Sequence, residues 1–98
     1  MGDILSKIRD IIDEELKKAL EYVKKCQNEK RKEWMKRAVT LALILAKLPS
    51  TERGLHTYIL NLEKSAQRLP YPYREAILNV VEKITVFAQP SYRQRKRL

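Results

Sequence analysis

The sequence predicts an all-α fold, an antiparallel four-helix bundle with a short flexible basic C-terminal tail. Three observations predict it. Apolar residues recur at three- and four-residue steps through four successive stretches, the period of a helix with one buried face. Only two glycines and four prolines interrupt 98 residues. The connections between the stretches are short, which favours antiparallel neighbours. A helical domain is therefore expected over residues 1–89 and the tail over 90–98, with no internal repeat beyond the helices themselves.

The first helix is expected from about Asp3, a plausible N-cap, to Gln27. Leu5, Ile8, Ile12, Leu16, Ala19, Val23 and Cys26 form its stripe. The second is expected from about Lys30 to Leu48, with Trp34, Ala38, Leu41, Leu45 and Leu48 as its seam. Neither Gly nor Pro separates the two, yet their stripes are out of phase. The first repeats through positions 5, 12, 19 and 26, the second through 34, 41 and 48. One residue of mismatch argues for a break, and Asn28, which tolerates the left-handed conformation, is where it is expected.

Pro49 lacks a backbone donor and disfavours helical geometry at Leu48, so the second helix should stop there. Ser50 is then the expected N-cap of a third helix, with Glu52 in its first turn and Leu55, Tyr58, Ile59, Leu62, Ala66 and Leu69 on its apolar face. Leu69-Pro70-Tyr71-Pro72 reads as a stiff turn, with Pro72 suited to the first position of a fourth helix. That helix carries Tyr73, Ala76, Ile77, Val80, Val81, Ile84 and Phe87, and Pro90 is expected to end it.

Charge is the feature that speaks to function. The chain has 21 bases and 12 acids, a formal net +9. Residues 1–28 hold six of each and cancel, whereas residues 29–37 hold five bases against two acids and residues 90–98 hold four bases and no acid. Seven of the nine net charges thus sit in two short segments. Each bears an aromatic, a combination suited to a phosphate backbone. The expected contact residues are Lys30, Arg31, Lys32, Trp34, Lys36 and Arg37 in one segment, and Tyr92, Arg93, Arg95, Lys96 and Arg97 in the other. On a helical projection Glu33, Lys36, Arg37, Thr40 and Lys47 share one polar face, a cationic ridge or, more blandly, a solvated face. The tail has the arginine bias that suits bidentate phosphate contact. A frayed terminus or a targeting signal would use the same residues.

Other polar residues carry ordinary expectations. Glu15 falls inside the apolar arc of the first helix and is expected to reach past the core edge or pair with a neighbouring tyrosine or arginine. Cys26 is expected as a buried inert thiol, and a single cysteine excludes an internal disulfide framework. His56, on an outer face, has no second His or Cys to complete a metal set. Asp10, Asp13, Glu14 and Glu21 alternate with Lys7, Lys17 and Lys18 at intrahelical pairing distances. No Gly-rich phosphate loop, nucleophile elbow or Cys–His arrangement occurs, so neither catalysis, cofactor, metal nor small-molecule substrate is expected. No signal peptide is visible, and the most apolar run, Ala38 to Ala46, is too short to span a bilayer. The expected location is cytoplasmic or nucleoid-associated.

The second helix is apolar around most of its circumference, with Leu43 and Ile44 beside the basic ridge. Leu60 and Leu78 also fall off their stripes. Two functions follow as expectations. One is a small non-catalytic nucleic-acid-binding protein that contacts the DNA or RNA backbone with little sequence preference. The other is a helical accessory subunit docking on a larger replication or nucleic-acid-processing complex such as a DNA polymerase, or a self-associating module, with Leu43 and Ile44 as anchors.

Overall fold

Four helices form an all-α bundle in the computed structural model, which describes residues 3–88. Tyr92, Arg93, Arg95, Lys96 and Arg97, expected as contact residues, and the tail that holds them lie outside the described residues. Helix α1 spans Asp3–Lys25, α2 Asn28–Ala46, α3 Leu55–Arg68 and α4 Tyr73–Ala88.

The expected stripe of α1 is the buried one. Ile8, Ile12 and Ala19 are almost fully enclosed, with Leu5 and Leu16 packed beside them. The helix stops where the phase argument places the break. Cys26 donates the last helical bond, to Tyr22 at 2.8 Å, and Asn28 takes φ 58°. A left-handed residue costs an asparagine less than most side chains, so the chain reverses there without glycine.

The entry to α3 departs from expectation. Ser50 does not cap it. The chain runs extended through Thr51, makes a single 3-10 turn at Glu52–Gly54, and only then enters α3 at Leu55. Gly54 donates to the Thr51 carbonyl at 3.3 Å, and a Cβ placed on it would lie 3.3 Å from that of Pro49. The turn folds back tightly against the proline, and that crowding moves the cap four residues downstream, from Ser50 to Gly54. The second turn follows expectation more closely. Pro72 precedes α4 and its carbonyl accepts from Ala76 at 3.2 Å. Arg74 reaches back to satisfy two carbonyls at the end of α3, those of Ala66 at 3.3 Å and Leu69 at 3.2 Å.

α4 is the hub. It packs on α1, α2 and α3, whereas α1 packs chiefly on α2. Its expected face is enclosed from Ala76 through Ile77, Val80, Val81 and Ile84, while Phe87, expected on the same face, is 38% exposed near the helix end. The largest fully buried side chains, Ile8 and Ile12 of α1 and Ile77, Val80 and Ile84 of α4, mark the centre of the core. Each contributes about 1.5–3 kcal/mol by leaving water. At the core edge Glu15 pairs with Lys83 of α4 and lies 3.7 Å from Lys18, lysines rather than the tyrosine or arginine expected. Lys17 pairs with Asp13 at 3.4 Å within α1.

α2 is turned relative to its expected orientation. Its buried residues are Ala38, Thr40, Leu41 and Ile44. Thr40, assigned from sequence to the polar ridge, is buried because its hydroxyl is satisfied locally, donating to the Lys36 carbonyl at 2.9 Å. Ile44, expected as an exposed anchor, is only 7% exposed. Outside lie Met35, Val39 and Leu43, about half exposed, with Ala42 and Ala46 beside them. The helix therefore hides part of its polar face and shows part of its apolar one.

Candidate nucleic-acid interface

The basic segment folds as the first turns of α2, directly after the end of α1. Lys30, Arg31, Lys32 and Lys36 are all exposed. Lys24 and Lys25, in the last turn of α1, are exposed beside the same break. Sequence reasoning passed over these two lysines because they belong to a segment whose charges cancel. Only the reversal at Asn28 gathers them with the α2 cations. Five open cations thus lie within four residues of Asn28, and Lys36 follows two turns along α2. Lys32 is engaged by Glu29 at 3.8 Å, a weak pair between exposed side chains. Lys25 lies 6.0 Å from the Tyr22 ring and Lys36 6.0 Å from the Tyr73 ring. These contacts steer the stems of both lysines and leave their ammonium groups in water.

Trp34 and Arg37 do not belong to this open surface, and here the expectation is corrected. Trp34 is half-buried and stacks on Tyr22, ring centroids 4.4 Å apart and planes 16° apart. Arg37 lays its guanidinium 4.7 Å from the Trp34 ring and 5.4 Å from the Tyr71 ring. Its Nη2 lies 3.7 Å from Glu33 and 3.2 Å from the Tyr71 hydroxyl, which itself donates to Glu33. The Arg37 side chain is only 14% exposed, and its Nε is buried without a hydrogen-bond partner. Tyr22, Glu33, Trp34, Arg37 and Tyr71 form one cluster that fastens α1, α2 and the α3–α4 turn. A guanidinium held against two rings and a carboxylate and only 14% exposed offers phosphate little open surface, and an indole covered by tyrosine and arginine has no free face for a base. The partners come from Tyr22 and Tyr71, on other elements, so the pattern within α2 could not reveal it.

At the other end of α2, the Tyr58 hydroxyl donates to the Ile44 carbonyl. Burial pushes the Tyr58 phenol up to about 12 from its ordinary 10.0. Of the two anchors expected for a protein partner, Leu43 is open at 56% and Ile44 is core. Leu60 and Leu78 are both 41% exposed on separate helices. His56 is exposed and Cys26 is a half-exposed free thiol. Among the described residues no three His, Cys, Asp or Glu side chains converge on a point that could hold a metal ion. No helix among them is long and apolar enough to cross a membrane.

No protein-family model, curated protein or solved structure matches this chain.

Proposed function

We propose that this chain is a non-catalytic nucleic-acid-binding module that grips the phosphate backbone at the α1–α2 corner. The observation that carries the reading is the grouping of Lys24, Lys25, Lys30, Arg31, Lys32 and Lys36, all exposed, at one reversal of the chain. Cations on two converging helices meet successive phosphates as point charges, and each contact releases a counterion. Five of the six are lysines, point charges without the bidentate fork that reads base edges, and Arg31 alone carries that fork in the open, since Arg37 is engaged. Binding is therefore governed by backbone charge and has little sequence preference. The measurement is duplex affinity against salt: four to six phosphate contacts give a log–log slope of about −4 to −5, indifferent to scrambling of the DNA sequence. A flat salt dependence would end the reading.

A second reading, the accessory subunit, has its own support in α2. Met35, Val39 and Leu43 stand one turn apart on an exposed face. Apolar stripes of this kind are commonly covered by a partner. The two readings use different surfaces and are compatible in one molecule.

A further inference from the structure

Between α2 and α3 the bundle is open. α3 packs on α4 rather than on α2, and the space between the two helices is a groove of about 860 Å³. Its interior is largely apolar, with Ile44, Tyr58, Leu62 and Ile77 inside and Val39 and Leu43 along the α2 wall. The charged residues lining it are Lys47, Lys64 and Arg68, three cations and no acid. None of the three forms an ion pair among the described residues. Lys64 and Arg68 stand one turn apart on the α3 wall, and Lys47 closes the end of the α2 wall.

We propose that this groove docks an acidic amphipathic helix of a protein partner, its leucine-type side chains against Val39 and Leu43 and its flanking carboxylates on Lys47, Lys64 and Arg68. The occupant is acidic because every charge on the groove is positive. The same sign excludes the basic segment 93–97 of this chain. The occupant is helical because the groove walls are themselves helices whose backbone groups are spent. Of the neutral polar side chains on the walls, the Thr40 hydroxyl already bonds the Lys36 carbonyl and the Tyr58 hydroxyl the Ile44 carbonyl, which leaves Asn61, Ser65 and Tyr73, too few to pair an extended backbone along its length. An extended peptide would leave its own N–H and C=O groups unpaired against such walls, whereas a helix satisfies them internally. Nucleic acid fits poorly, because the aliphatic lining offers phosphate nothing, and of the two tyrosines that line the groove Tyr58 is buried and Tyr73 only partly open. Val39 and Leu43 also belong to the exposed stripe of α2, so groove and stripe form one continuous apolar surface. The proposal deepens the accessory reading and stands apart from the phosphate-binding corner.

The test uses the full chain and two fluorescent peptides of about 18 residues with leucine at the a and d positions of each heptad. One carries glutamate at e and g, the other lysine. At ionic strength near ~0.15 M, the glutamate peptide should bind at least about tenfold tighter than the lysine peptide by anisotropy, a difference of about 1.4 kcal/mol. Leu43→Asp alters a half-exposed residue, so circular dichroism should stay helical while affinity falls about tenfold. Lys64→Glu with Arg68→Glu should reverse the preference between the peptides. Equal binding of both peptides, or a folded Leu43→Asp variant that binds as its parent does, overturns the proposal. So does a dimer in sedimentation that Leu43→Asp dissolves, because the occupant would then be a second copy. A photo-crosslinker at position 39 keeps the readings separable. Capture of one partner in the native cell together with indifference to the glutamate peptide retains the accessory reading and discards the acidic helix. Duplex affinity of the Leu43→Asp variant should equal that of the parent.

Discussion

Trp34 lies almost flat on Tyr22, centroids 4.4 Å apart, and the pair bridges α1 and α2 across the left-handed Asn28. Aromatic pairs in offset or stacked contact contribute about 0.5–1.5 kcal/mol beyond the area they bury. The stack fastens the hairpin at the corner where the open lysines gather. It is a structural contact beside the proposed binding surface, and substitution separates the two roles.

Trp34→Ala should destabilise the fold by about 2–4 kcal/mol in urea titration. The salt slope of duplex binding should stay unchanged under conditions where the variant is folded. A shallower slope would mean that the indole reaches nucleic acid after all.

Arg37 and its neighbours Arg31, Lys32 and Lys36 should part company in the same way. Replacing the latter three with glutamine keeps good helix formers. It should leave the fold intact and make the salt slope shallower by about 2–3. Arg37→Gln should instead cost about 1–3 kcal/mol of stability, through loss of its bonds to Glu33 and Tyr71 and its place on two rings. Its salt slope should barely move.

Asn28 offers a test of the chain reversal. Asn28→Gly should be neutral or slightly stabilising, because φ 58° suits glycine without strain. Asn28→Val should cost about 1–2 kcal/mol, since a β-branched residue is strained in the left-handed region. Thermal or urea midpoints of the two variants should bracket that of the parent.

Tyr58 gives the pH prediction. Its phenol is pushed up to about 12 in the fold against 10.0 unfolded, so the folded state prefers the protonated form. The associated stability is complete below pH 10 and is lost as pH rises through 10 towards 12. Tyr58→Phe removes the bond to the Ile44 carbonyl and should cost about 0.5–1.5 kcal/mol at neutral pH. The gap between parent and variant should narrow above pH 10.

Much of the bundle was legible because it is written in local periodicity. A one-residue phase slip located the break at Asn28, and the paired prolines located the α3–α4 turn. The apolar face of α4 needed nothing beyond its own spacing. What escaped depends on distant partners. Glu33, Arg37 and Thr40 look like a solvated ridge on a helical projection. Tyr71 and Trp34 make burial of the arginine tolerable, and the Lys36 carbonyl does the same for the threonine. Ile44 was misplaced by the same rotation. Lys24 and Lys25 were missed for the opposite reason: their segment is neutral, and only the reversal of the chain brings them beside the cations of α2. The start of α3 moved because Gly54 folds against Pro49, a contact that a capping residue does not announce.

Tyr58 ties the beginning of α3 to the end of α2, and Tyr71 ties the turn beyond α3 to Glu33 and Arg37. The gap between the helices is thus braced at both ends, as a bow is by its string. α3 cannot settle onto Val39 and Leu43 without breaking one of the braces, so the lone chain keeps aliphatic surface in water that closer packing would hide. A larger side chain on the inner wall, as in Ser65→Leu, should recover about 0.5–1 kcal/mol of that loss while obstructing an incoming helix. At this spot robustness and recognition pull the sequence in opposite directions, and the most durable version of the fold would be the one with nowhere left to receive a partner.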